Sequence, residues 1–171
     1  MNNTIIFVGG QKGGVGKSFM TKSLIEYFWD RRINYQLIEA DKDNPDVAVV
    51  YDKERLPDIY NQDLPKVNKL KSDEETERFN LVPCKYIGFS DSKYSIGEPD
   101  IIFTSALDRT TIVNLPSNVE EQVNNWLNKS DILNLKQEYN VEIYKLFLTD
   151  GCYSSIKLLY NSLKDHGQAL H

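Results

Sequence analysis

Five glycines, two lysines and a serine fall within ten residues, Gly9-Gly10-Gln11-Lys12-Gly13-Gly14-Val15-Gly16-Lys17-Ser18. Gly13, Gly14 and Gly16 admit backbone angles that turn successive N–H groups toward one point, which makes a nest for an anion. A helix that starts directly after such a loop adds unpaired donors and the positive end of its dipole. Lys17 can then reach the β- and γ-phosphates of a nucleotide, while the Ser18 hydroxyl coordinates Mg²⁺. The chemistry expected here is the cradling of ATP, or a close analogue, with Mg²⁺. The binding set is Gln11, Lys12, Gly13, Gly14, Val15, Gly16, Lys17, Ser18 and Phe19.

A second group is acidic: Glu39-Ala40-Asp41-Lys42-Asp43-Asn44-Pro45-Asp46. If it ends the strand after the P-loop helix, it lies on the same carboxyl edge of the sheet, where ligands bind in open α/β folds. Asp41 is a candidate for facing the γ-phosphate, because positioning dominates phosphoryl transfer. Asp43 or Asp46 either serves the metal or belongs to a solvated acidic turn. Other chemistries find no support. His166 and His171 have no metal-ligand spacing around them, and no G-x-S-x-G or Cys/His arrangement suggests a hydrolase.

The elements that must position these groups read as alternating strands and helices. Thr4–Val8 is a short apolar run ended by Gly9-Gly10, as expected of a fully buried strand. From about Lys17 to Arg31 the pattern is helical, with Met20, Leu24 and Phe28 spaced by four beside Ile25 and Trp29. Tyr35–Ala40 makes a second strand. The stretch from 52 to 100 is rich in charge and proline, with one strand expected at Phe79–Pro83 and a loop at Ser90–Pro99. Thr111–Leu115 is a further buried strand. Ser117 and Glu120 then have the spacing of a capping box, before a helix striped by Val119, Val123, Trp126 and Leu127. Val141–Leu148 forms the last strand, and the last helix has Ile156, Leu159, Tyr160 and Leu163 on one face. This alternation predicts an α/β fold, a mainly parallel sheet with helices on both sides.

With 171 residues the chain fits one domain over residues 1–171. A formal charge of −5 argues against a strongly basic nucleic-acid-binding domain. Arg31, Arg32, Lys66, Lys69 and Lys71 read mainly as solvated surface. Cys84 and Cys152 stand far apart and support neither a disulfide framework nor a zinc site. No apolar run approaches the length of a membrane span, and the N-terminus carries no signal-peptide pattern. A soluble, cytoplasmic protein is expected.

The glycine loop is not the general form G-x-x-x-x-G-K-[ST], whose first glycine would fall at Gln11. Instead Gln11–Ser18 resembles the deviant Walker A box of the ParA/MinD ATPases, with Lys12 at the place of the signature lysine. The resemblance implies an ATP-dependent homodimer in which Lys12 reaches the partner's phosphates much as an arginine finger does. It also implies that Lys12, Lys17 and Asp41 are the catalytic set, Asp41 orienting the attacking water. Ile112-Val113-Asn114-Leu115-Pro116 is similar to the Walker B strand, apolar-apolar-Asp-x-Pro, but carries asparagine at 114. Ser18 would hold Mg²⁺ directly, and Asp41 and Asn114 would act on it through water. Asparagine keeps a neutral acceptor and loses the charge. A natural divergence, a deliberate trapping substitution and a different placement of the strand all account for it.

Glu39-Ala40-Asp41, Asn44-Pro45-Asp46-Val47 and Phe147–Gly151 with Ser155-Ile156 look like the StbB/TraL-type plasmid-stability and conjugal-transfer members. Asp150 either faces the nucleotide or caps the following helix. Family members usually continue with another strand and base-reading loop. A chain ending at His171 is then a fragment or a form that reads the base differently.

The leading expectation is a nucleotide-dependent dimerisation switch in plasmid partition, stability or transfer, with a partner protein of such a system and no membrane span. One alternative is a hydrolysis-impaired nucleotide sensor or adaptor. Another is a small-molecule enzyme resembling dethiobiotin synthetase or the cobyrinate amidation enzymes. Direct DNA binding and the choice between ATP and GTP stay open.

Overall fold

The computed structural model describes residues 3–51, 83–89 and 97–166. In chain order these form β1 (Asn3–Gly9), α1 (Lys17–Asp30), β2 (Tyr35–Glu39), α2 (Ala48–Tyr51), β3 (Lys85–Tyr86) and α3 (Asp100–Ala106). They continue with β4 (Thr110–Asn114), α4 (Glu120–Lys129), α5 (Ile132–Glu138), β5 (Val141–Phe147) and α6 (Tyr153–His166). The five strands make one sheet in the order β3-β2-β4-β1-β5, and every pairing is parallel. The expected α/β class is the observed one.

Parallel strands joined by helices must bury both faces, which explains why every residue of β2 and β4 is buried, polar ones included. Successive residues go to opposite sides. Val8, Leu37 and Ile112 join Ile25 and Phe28 of α1 in one cluster. Phe7, Ile38 and Val113 point the other way, into a cluster with Ile102 of α3 and Val123, Trp126 and Leu127 of α4. β1 lies inside the sheet between β4 and β5, with Ile5 paired to both Thr111 and Ile143. The loop that leaves β1 is therefore flanked on both sides by the ends of neighbouring strands.

Several expectations are corrected. The buried face of α1 is Lys17, Thr21, Ile25 and Phe28, so the stripe is offset from Met20, which is exposed. Its small polar member, Thr21, lies against the sheet, its hydroxyl 3.1 Å from Asn114 Oδ1 of β4. Ser117 and Glu120 do not form a capping box: α4 begins at Glu120 with no side-chain cap. Both side chains are engaged elsewhere, Ser117 with Lys17 and Glu120 with Lys145 and Ser162. In α6 the buried positions include Ser155 and Ser162, while Ile156, Tyr160 and Leu163 are exposed. The helix turns its small residues to the sheet, because Ser162 must reach the Glu120–Lys145 pair. Of the strand expected at Phe79–Pro83, only Pro83 is among the described residues, and it precedes β3. Most of the loop expected at Ser90–Pro99 lies outside the described residues, and Pro99 caps α3. Arg31 and Arg32 lie exposed just after α1. Lys66, Lys69 and Lys71 fall outside the described residues.

Candidate functional site

Four segments meet at the carboxyl edge of the sheet. β1 opens into the loop 10–16. β4 continues beside it, Leu115 N donating to Val8 O at 3.0 Å, and β5 flanks the other side, Leu148 N donating to Gly9 O at 2.8 Å. β2 arrives next to β4, with Ala40 N donating to Asn114 O at 3.0 Å. The glycine loop, the acidic turn, Asn114–Ser117 and Thr149–Cys152 are thus brought to one place by sheet order alone.

The loop has the backbone its sequence calls for. Gly14 and Gly16 have φ of 77° and 99°, conformations that L side chains rarely adopt. Side chains built at Gly13 and Gly14 would meet nothing within 4 Å, so open space borders those residues. Gly16 caps α1 without a side-chain hydrogen bond, and the first turn holds no acidic residue. The helix therefore keeps its N-terminal donors and dipole end for an outside anion. Gly10 has a different task. A Cβ there would lie 2.5 Å from Leu148 O, in backbone that cannot move without parting β1 from β5. Gly10→Ala is expected to lower stability by about 2–3 kcal/mol, read by urea denaturation. A loss below about 0.5 kcal/mol would show that the two segments part easily.

Lys17, mostly buried, lays its ammonium across the loop. Its Nζ donates to Ser117 Oγ at 2.9 Å and to Lys12 O at 3.3 Å. Burial pulls its pKa down, and the nearby Asp41 carboxylate raises it. Asp41 itself is fixed by accepting the Asn44 N–H on Oδ1 at 3.1 Å. Ser117 is a site residue that the reading by pattern missed. The available signal was its place three residues after Asn114, on the strand end that faces the loop.

Lys12 is exposed, its side chain at 55%. It forms an ion pair with Asp150, whose carboxylate also accepts from Ser155 Oγ at 2.6 Å and from Cys152 N at 3.1 Å. Hydrogen bonds from Cys152, Lys12 and Ser155 hold the Asp150 carboxyl well below the usual range, and Asp150 raises Lys12. Asp150 thus both faces the loop and ties down the turn before α6.

Asn114 is buried and bonded at both ends of its amide. Its Nδ2 donates to Glu39 Oε1 at 2.8 Å, and its Oδ1 accepts from Thr21 Oγ1 at 3.1 Å. Burial pushes the Glu39 carboxyl up to about 7, against hydrogen bonds from Asn114, Asp41 and Ala48 that lower it. Ser18 and Val15 are half-buried and Phe19 is 75% exposed, while Gln11 lies at the loop's start. Asp43 is exposed, and neither it nor Asp46 is drawn into a hydrogen bond through its carboxylate by the described contacts.

These residues fit a nucleotide phosphate with Mg²⁺. The loop offers a positive-φ nest, uncapped helix donors and a partly desolvated lysine, which suit a polyphosphate. Among the described residues, no group of three or more His, Cys, Asp or Glu could hold a metal ion by itself. A cation here would take the Ser18 hydroxyl together with the phosphate oxygens and water, as Mg²⁺ prefers. No helix among the described residues is long and apolar enough to cross a membrane.

No protein-family model matches the chain. Over 63 residues it is 40% identical to Protein MobD of Acidithiobacillus ferrooxidans, a stretch covering 37% of this chain and 28% of that protein. Among solved structures, it is similar to a nucleotide-binding protein from Archaeoglobus fulgidus in complex with ADP. That likeness has a TM-score of 0.49 and 14% identity, and covers 98% of this chain and 65% of the other. The chain spans less than two thirds of the length of either protein.

Proposed function

We propose that this chain binds ATP with Mg²⁺ through Gln11–Phe19 and uses it as a dimerisation switch of the ParA/MinD kind. The observation that carries the reading is the loop between β1 and α1, with Gly14 and Gly16 at positive φ and Lys17 lying over its mouth. In that arrangement the loop amides and Lys17 hold the β- and γ-phosphates, and Ser18 takes the metal. Bound Mg²⁺ would offset phosphate charge. Asp41, on the adjoining strand end, would orient the water for in-line attack.

Lys12 supplies the dimer part of the reading. In the single chain it is satisfied by Asp150, but water screens an exposed pair of this kind and leaves it weak. A partner's phosphates can therefore compete for it. A role in plasmid maintenance or transfer follows from the sequence resemblance, and the partial match to Protein MobD is compatible with it.

Light scattering coupled to size-exclusion chromatography tests the switch, first without nucleotide and then with Mg-ATP. A monomer-to-dimer shift that disappears in Lys12→Ala, while ATP binding persists, is the expected outcome. No shift despite ATP binding would remove the dimer. A second reading, a nucleotide sensor with little turnover, is favoured by Asn114, whose amide is already committed to Glu39 and Thr21. Phosphate release on the same sample separates the two. Turnover that needs an added carboxylate substrate would instead point to the small-molecule enzymes.

A further inference from the structure

Glu39 and Asn114 face each other in the register of β2 and β4. Glu39 is wholly buried and Asn114 is 2% exposed. Besides the Asn114 amide, Glu39 Oε1 accepts the Asp41 N–H at 3.1 Å, and Oε2 accepts the Ala48 N–H at 3.3 Å. On the other side, Asn114 Oδ1 takes the Thr21 hydroxyl of α1. A buried line of hydrogen bonds thus runs from the P-loop helix, across β4, to both ends of the loop that carries Asp41, Asp43 and Asp46.

The direction of these bonds restricts what can stand at 114. Glu39 accepts, so the residue at 114 must donate toward it, while on its other side it shares the single Thr21 hydroxyl hydrogen with Lys17 O, 3.0 Å from Thr21 Oγ1. An amide does this, and an ionised carboxylate cannot. Aspartate would set a second negative charge against Glu39 in a fully buried place, which costs the pair a shared proton or strong repulsion.

We propose that Glu39 is a positioning residue for the Asp41 loop, and that Asn114 is its matched connector to α1, so that asparagine at 114 is required by Glu39. The nucleotide-binding reading enters only through one of the two readouts. The buried carboxylate of this edge sits on β2, and the connector on β4 must then be neutral.

The test compares Asn114→Asp, Glu39→Gln and the double variant of the full chain at about pH 8, where free carboxylates are ionised. Amide exchange of Asp41 and Ala48 is followed by NMR without nucleotide, and Mg²⁺ with a fluorescent ATP analogue is titrated separately. Asn114→Asp alone should speed exchange at both amides and weaken the analogue, each about tenfold. Adding Glu39→Gln should bring affinity back to within about threefold and restore protection at Ala48. Asp41 should stay unprotected in the double variant, because the oxygen it bonded has become an NH₂ that faces the new carboxylate on β4. Unchanged exchange and affinity in Asn114→Asp would overturn the proposal, as would a double variant no better than the single one. Should Asn114→Asp fail to fold, Thr21→Val carries the test. It should speed exchange at Asp41 and Ala48 about threefold with melting preserved, and unchanged exchange there overturns the coupling. If the natural chain binds no analogue, the nucleotide reading falls, and the exchange measurements still decide the proposal.

Discussion

Lys17→Ala is expected to weaken Mg-ATP binding by about a hundredfold, because it removes a charge and donors that meet phosphate in a partly desolvated loop. Calorimetric titration reads this directly. The same variant should be within about 1 kcal/mol of the natural chain in stability. Lys17 is buried at 9% exposure and its charge is disfavoured there, so its removal relieves a desolvation cost while losing bonds to Ser117 and Lys12. The combination matters. A loss of affinity with stability intact places Lys17 at the phosphate, whereas equal losses in both would make it a structural residue of the loop. Affinity within about threefold of the natural chain would sink the nucleotide site as described.

The second large effect lies away from the loop. Lys145 of β5 pairs with Glu120 at the start of α4, with only 8% and 13% of their side chains exposed. Ser162 of α6 joins them, accepting from Lys145 at 3.1 Å and donating to Glu120 at 2.9 Å. Lys145→Met would leave the largely buried carboxylate of Glu120 facing a single hydroxyl, and should lower stability by about 3 kcal/mol in urea denaturation. Replacing Glu120 with Gln in the same chain should recover more than half of that loss, since the orphaned charge is gone. If Lys145→Met costs less than about 1 kcal/mol, water reaches the pair and it does not hold α4 and α6 to the sheet.

How far pattern could carry the site is clear from particular residues. The glycine loop was legible because its shape is a backbone property: glycines at 14 and 16, and a lysine and serine opening a helix, set the turn locally. Strand and helix alternation was legible because a parallel sheet buried on both faces needs apolar cores in its strands, and Ile5–Val8, Leu37-Ile38 and Ile112-Val113 supply them. The stripe on α6 was misleading. Ile156, Tyr160 and Leu163 have helical spacing, yet they lie exposed while Ser155 and Ser162 face inward. Periodicity names an apolar face, and only the packing partner decides whether that face is the buried one. Ser117 was misread for a similar reason. A cap and a lysine compete for one hydroxyl, and the lysine stands a hundred positions earlier in the chain.

The glycine loop between β1 and α1, the α/β class and the acidic turn at the end of β2 could be read from the chain alone, because each depends on neighbours within a few residues. Tertiary structure decided the pairings. Lys12 with Asp150, Lys17 with Ser117, and Asn114 between Glu39 and Thr21 join residues 75 to 138 positions apart. The order β3-β2-β4-β1-β5 brings four strand ends to one edge, and no local spacing records that order. Asn114 shows the difference most plainly. In the chain it is a departure from a strand pattern; in the fold it is the neutral connector beside a buried carboxylate, and its meaning comes from that neighbour.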